Sequence, residues 1–136
     1  MNESGYLREF MEQSLLEVHT AFFGRIVSVG GGTCTIQPLA MTKDVKGNAQ
    51  KRAVIKNVPI LWNARNRIIE YEESCCNGSG GFTTRKHLKF EPLKSGDIAF
   101  CVCADRDISE QRSGNTAVPT MERHHDITDC VVVGVL

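Results

Sequence analysis

Beyond Phe22-Phe23-Gly24 the chain has β character throughout: short apolar runs follow one another, each closed by glycine, proline or a polar cluster. Punctuated runs of this kind are the pattern of strands joined by turns. Arg25 to Val29 is the first predicted strand, and Gly30-Gly31-Gly32 ends it, because glycine reaches the positive φ values that a tight hairpin needs. Thr33 to Leu39 is the returning strand. Thr42 to Arg52, polar and basic around Gly47-Asn48, reads as a loop or hairpin end. Ala53 to Trp62 carries the third strand, with Pro59 indicating an edge or bulge. Asn63 to Tyr71 has no clear assignment; Arg65, Arg67, Glu70, Glu72 and Glu73 suggest a solvated face. Ser74 to Gly81 is small, polar and loop-like, Phe82 to Phe90 is strand-like, and Pro92 to Asp97 is a tight turn. Ile98 to Ala104 is the strongest core strand, Ser109 to Thr120 has loop composition, and Cys130 to Leu136 closes the chain.

Before the strands, Tyr6, Leu7, Phe10, Met11, Leu15 and Val18 recur at helical spacing, with Glu12, Gln13 and Glu17 on the other face. They predict an amphipathic helix over 4–19, capped by Asn2 or Ser4. The expected fold is therefore mainly β. It has an N-terminal amphipathic α-helix over 1–20 and an OB-like small antiparallel β-barrel, closed or partly closed, over 21–136. The runs Ile98 to Cys103 and Val131-Val132-Val133 do not alternate with polar residues, so both of their faces require cover. The helix is expected to cover one patch. A neighbouring subunit in a symmetric ring is the expected cover for the rest.

Composition narrows the function. Of 136 residues, sixteen are basic and sixteen acidic, giving a formal net charge of zero. That argues against a general nucleic-acid binder, whose affinity comes from neutralising phosphates, and it removes the repulsion that keeps proteins apart. The basic stretch Lys43, Lys46, Lys51, Arg52 and Lys56 has no interleaved aromatic residue on which bases would stack. Met1 to Gly5 lacks a basic n-region and an apolar h-region, and the longest apolar runs are too short to span a membrane. The expectation is a soluble product made in the cytosol.

The residues that carry chemistry in other proteins do not assemble into a signature here. The six cysteines fall as Cys34, Cys75-Cys76, Cys101-x-Cys103 and Cys130. Neither pair has the C-x(2–4)-C spacing of a structural zinc site. Cys34, Cys101, Cys103 and Cys130 read as buried small hydrophobes, whereas Cys75 and Cys76, in a glycine-rich segment, have no packing reason to be cysteine. His124, His125, Asp126 and Asp129 are the densest set of potential ligands, but neighbours on a strand face opposite ways. A polar turn whose side chains tie down backbone amides is the better reading. Asp105 and Asp107 share a face if their strand continues, but Arg106 and the exposed loop give no pocket, and no second acidic cluster is available for glycoside hydrolysis. An ion-pair network at a subunit boundary is expected instead. Gly30-Gly31-Gly32 lacks the lysine and the helix that phosphate binding requires. No catalytic residue, metal ligand or cofactor is assigned.

The ordered set of segments resembles a known family. Thr20 to Val29 matches a Thr-Ala-x-x-Gly-Arg-Ile-Val-Ser-Val opening strand. Pro92 to Ile108 matches a Pro-Leu-Lys-x-Gly-Asp turn followed by an apolar strand ending in Ala-Asp-Arg-Asp-Ile, and Arg123 to Asp129 matches a closing Arg-His-Asp-x-x-Asp with one additional histidine. In this the chain is similar to the N-terminal OB-fold domain of phage tail central-spike proteins, over roughly residues 19–134. The resemblance implies a virion structural protein of the tail baseplate, made in the host cytoplasm. It implies a homotrimer on the tail axis, joining the tail hub protein to the membrane-facing tip and meeting the host envelope transiently. Spikes of this family continue into a β-helical stalk with a pointed tip; ending at Leu136, this chain is expected to be a minimal spike or an adaptor whose tip is a separate spike-tip protein. Expected subunit or partner contacts are Leu7, Phe10, Phe22, Phe23, Asp105, Arg106, Asp107 and Arg123. Cys75 and Cys76, outside the family pattern, are expected to form disulfides with a neighbouring subunit or another tail protein in an oxidising medium. The alternative is an OB module that binds single-stranded nucleic acid.

Overall fold

A computed structural model of the chain describes residues 3–136. The first element, α1, spans Glu3–Leu16. Asn2, one of the two expected caps, lies outside the described residues, and Ser4 sits within the helix instead of capping it. The strands follow in chain order: β1 Ala21–Gly30, β2 Thr33–Pro38, β3 Thr42–Lys43, β4 Ala49–Gln50, β5 Ile55–Pro59, β6 Asn66–Cys76, β7 Phe82–Pro92, β8 Ile98–Cys103 and β9 Cys130–Val135.

Five of these strands make one antiparallel sheet in the order β5-β2-β1-β8-β9. The hairpin between β1 and β2 turns on Gly31 and Gly32, at φ 60° and 85°, where a side chain would be strained. Register shifts interrupt three ladders: β1 with β2 at Ile26/Ser28, β2 with β5 at Cys34/Ile36, and β8 with β9 at Phe100/Cys101. Each irregularity bends a strand and increases its twist. The sheet accordingly curls into a half-barrel whose first and last strands meet: Ile60 bridges Val132, and the Leu61 amide donates to the Val132 carbonyl at 3.1 Å. Pro59 ends the edge strand β5, where a missing N–H costs no ladder bond.

The concave side holds the core. Ile26, Ile36, Ala99, Cys101, Cys130 and Val132 are fully buried there, with Cys34, Ile55, Val58, Ile60 and Cys103 around them, and Leu93 and Ala64 complete the cluster. Four cysteines thus fill core positions, as the sequence predicts. On the convex side of β1 and β8, Phe23 and Phe100 pack ring to ring at 5.1 Å yet stay 46% and 36% exposed, beside Val102 at 38%. That is the consequence of a strand with no polar alternation.

Two expectations are corrected. The helix does not cover the sheet: none of its residues is buried, and Tyr6, Leu7, Phe10, Met11, Leu15 and Leu16 lie 59–75% exposed. The connection after the helix is tied down where the His19 amide donates to the His125 carbonyl at 2.9 Å. Secondly, Asn63 to Tyr71, which had no clear assignment, is mostly strand, and that strand runs on to Cys76, into the segment expected to be loop. β6 and β7 pair over eleven residues each without a register shift, leaving only residues 77–81 as the turn. Both faces of this arm meet solvent, so it has no buried stripe from which a period could be read.

Candidate functional site

Ala104 to Ile108 and Arg123 to Asp129 come together where β8 ends. As β8 ends, Ala104 donates its amide to the Asp129 carbonyl at 2.8 Å, and Arg106 bridges His124 in antiparallel fashion. The His125 amide donates to the Asp105 carbonyl at 3.1 Å; His125 holds φ at 46°, a left-handed turn. Asp126 caps the 3₁₀ turn Ile127–Asp129 by accepting from the Thr128 amide at 2.8 Å, which delivers Asp129 beneath the loop. The polar-turn reading of this cluster therefore holds for Asp126.

At the centre sits Arg123. Its Nη2 donates to Asp129 Oδ1 at 2.8 Å and to Asp107 Oδ1 at 3.0 Å, while its Nε donates to Asp129 Oδ2. The guanidinium fork thus grips Asp129 with two bonds and shares one arm with Asp107. Both carboxylates are 2% exposed. Asp107 also accepts from the Ser109 amide and hydroxyl through Oδ1 and from the Met121 amide at 3.1 Å through Oδ2. Hydrogen bonds from Ser109, then from the Met121 amide, with Arg123 as a smaller cause, hold the Asp107 carboxyl below the usual carboxylate range. The same two Asp107 oxygens reach both ends of the loop 108–121 and close it onto the barrel. Sequence reasoning placed Asp129 in the histidine turn and did not connect it to Arg123. Only the salt-bridge geometry makes the link, across six residues of chain.

A second clamp joins the arm to the barrel. Arg67, at the base of β6, donates from Nη1 to Asp97 Oδ1 at 3.0 Å and from Nη2 to the Leu136 carbonyl at 3.3 Å. Asp97 is 7% exposed and also accepts from the Lys94 amide at 3.0 Å, so the Pro92-to-Asp97 turn and the hairpin share one carboxylate.

Of the expected contact residues, Leu7 and Phe10 lie on the exposed stripe of α1 and Phe23 on the convex face, while Phe22 packs partly against the core. Asp105 is exposed and Arg106 half-buried. Asp107 and Arg123, expected at a subunit boundary, are bonded to each other inside one chain. The arrangement clasps loops together. Asp107, held low and bonded to Arg123, has no proton to donate at neutral pH, which is the opposite of what a general acid needs. Among the described residues, no group of three or more His, Cys, Asp or Glu side chains is placed to hold a metal ion, and no helix is long and apolar enough to cross a membrane.

Cys75 and Cys76 are corrected from loop to strand: they face Thr83 and Phe82 near the arm's tip, both exposed and both free thiols in the single chain. The other four are buried. Burial, with Cys130 nearby as a lesser cause, raises the Cys34 thiol to about 11 and the Cys103 thiol to about 12. The thiolate is the nucleophile. Iodoacetamide at pH 8 should therefore modify two cysteines of the native protein and all six after unfolding in urea, counted by intact mass. Rapid modification of a third cysteine without urea would contradict the core placement.

No family model matches the chain, and no curated protein is detectably similar to it.

Proposed function

We propose that the chain is a non-enzymatic structural subunit of a phage tail baseplate or central spike. In this reading it is an OB-fold barrel that assembles as a homotrimer on the tail axis and links the tail hub to the membrane-facing tip. It works without a cofactor; a separate tip protein supplies the piercing point and meets the host envelope. Made in the host cytoplasm, it resides in the virion.

One observation carries the reading: the apolar surface that the chain leaves in water. The stripe of α1 and the convex band of Phe23, Phe100 and Val102 are uncovered in the single molecule. Scattered exposed apolar residues are ordinary, whereas contiguous apolar patches mark association surfaces. The clasp around Arg123 adds support, since it stiffens loops without presenting a reactive group. Size-exclusion chromatography with light scattering should give three times the 15.1 kDa of the chain. A monomer with salt-sensitive affinity for a single-stranded oligonucleotide would replace this reading with the nucleic-acid-binding OB module.

A further inference from the structure

The arm formed by β6 and β7 is a sheet of two strands with an open edge on each side. A lone two-stranded hairpin is marginal in water, and long exposed edges are usually blunted by charge, proline, bulges or brevity. This one runs eleven residues a side, has no register shift, and carries proline only at its last position.

Its two faces are unlike. On one, Ile68, Phe82, Leu88 and Phe90 lie 66–76% exposed, with Glu70, Glu72 and Lys86 between them. On the other, the Tyr71 ring stacks on His87 at 5.3 Å among charged cross-strand pairs such as Arg67 with Glu91 and Glu73 with Arg85. Its two edges are unlike as well. Residues 70–73 of β6 include Glu70, Glu72 and Glu73 and no cation, whereas residues 85–89 of β7 include Arg85, Lys86 and Lys89 and no acid. Within the hairpin the two sets already attract: Lys86 Nζ lies 3.7 Å from Glu70.

Edge-to-edge pairing of two copies has three forms. Joining β6 to β6 sets glutamates beside glutamates, and joining β7 to β7 sets cations beside cations; like charges directly opposite are destabilising. Only β6 against the neighbour's β7 brings opposite charges together. Copies related by rotation about an axis along the arm also place those two strands antiparallel, as β6 and β7 are within one hairpin. Such a contact is head-to-tail, and repeated rotation closes it into a ring.

We propose that the β6–β7 arm is a self-association element whose occupant is a second copy of this chain, docked β6 to β7 in head-to-tail order. In the trimer proposed above, on which the number of copies rests, three arms close a six-stranded antiparallel barrel with Ile68, Leu88 and Phe90 turned inward. Open edges then disappear, Ile68, Leu88 and Phe90 are buried, Glu70, Glu72 and Lys86 on the same face meet opposite charges across the strand boundaries, and every acidic strand has a basic strand on both sides. The Arg67 clamp to Asp97 and to the Leu136 carbonyl fixes the arm's base, so that three arms can meet in one geometry.

The test uses the full chain with Cys75→Ser and Cys76→Ser. Chains carrying Glu72→Cys and chains carrying Lys86→Cys, positions that stand opposite each other in the hairpin, are co-expressed with different tags and mildly oxidised. Linked peptides are identified by mass spectrometry, and light scattering is run on the same samples. Repeating with Thr84→Cys or Leu88→Cys in place of Lys86→Cys covers a stagger of one side-chain step between neighbours. The expected result is a disulfide between the E72C chain and one of the β7 variants, with self-linked products a minor fraction. A trimer that yields no such link, or yields mainly E72C–E72C or K86C–K86C links, overturns the head-to-tail arm and leaves the trimer standing. A monomer at every concentration, in wild type as well as variants, overturns both.

Discussion

Exchanging Arg123 for methionine lowers the melting temperature at pH 7 by roughly 10 °C or more, the scale expected when a buried ion pair loses one partner. Methionine retains much of the volume, so the loss is electrostatic. Asp107 and Asp129, each 2% exposed, would face one another with no cation between them. The pH dependence separates this from simple loss of packing. In the native chain Asp107 and Asp126 are held below their ordinary values, chiefly by hydrogen bonds from Ser109 and Thr128 respectively. Stability from a depressed carboxylate is fully present above its unfolded value, about 4, and is lost as the pH falls through the lower folded value. Wild type should therefore lose stability on acidification below about pH 4. In the variant, two carboxylates share a site without a cation, so one is raised above its ordinary value, and stability is lost as pH rises. The variant should melt higher at pH 5 than at pH 7. Arg123→Lys keeps the charge but not the fork, and should fall between the two. Melting curves by circular dichroism at pH 3, 5 and 7 provide the check, and equal melting temperatures for wild type and R123M at pH 7 would contradict the clasp.

The second large effect belongs to Gly24. It is buried in β1 between Pro38 of β2 and Ala99 of β8. A β-carbon there would overlap Ile36 Cγ2 and lie 3.3 Å from the Gln37 carbonyl oxygen. Ile36 has no exposed surface in which to move. Gly24→Ala should cost about 1–3 kcal/mol by overpacking, and Ile36→Ala about 2–5 kcal/mol by opening a cavity. Because the removed isoleucine vacates the space that the new methyl needs, the double variant should be more stable than the sum of the single costs implies, by about 1 kcal/mol. Urea unfolding of the four proteins measures the coupling. Strict additivity would mean that the backbone of β1 shifts away instead.

Where the chain buries one face, its sequence was readable. Gly30-Gly31-Gly32 announced the first hairpin, Pro59 the edge strand, and the small apolar residues of Ile98 to Cys103 the core strand, because each reflects a local steric or solvation rule. In the arm, Phe82 to Phe90 was read as a strand, but its partner escaped for the converse reason: with water on both faces, Asn66 to Cys76 has no alternation to detect, and its glutamates look like any solvated surface. The helix was legible as a helix but not in its placement, since an apolar stripe says that cover is needed and not who provides it. Within the clasp, Asp107 stood out as a charged residue leaving a predicted strand, and Arg123 only as part of the segment that carries the resemblance. Their bonding to Asp129 depends on a 3₁₀ turn and a left-handed His125 that no periodicity encodes.

The position of the two reactive thiols has a practical outcome. Cys75 and Cys76 stand at the far end of β6, ten steps from Asn66. At the rise of an extended chain that is roughly 33 Å from the barrel. A nitroxide or fluorophore attached there would report on the tip of the arm while remaining remote from the folded body. Dipolar spectroscopy could then measure how far apart the tips stand in solution, without altering a single residue of the protein.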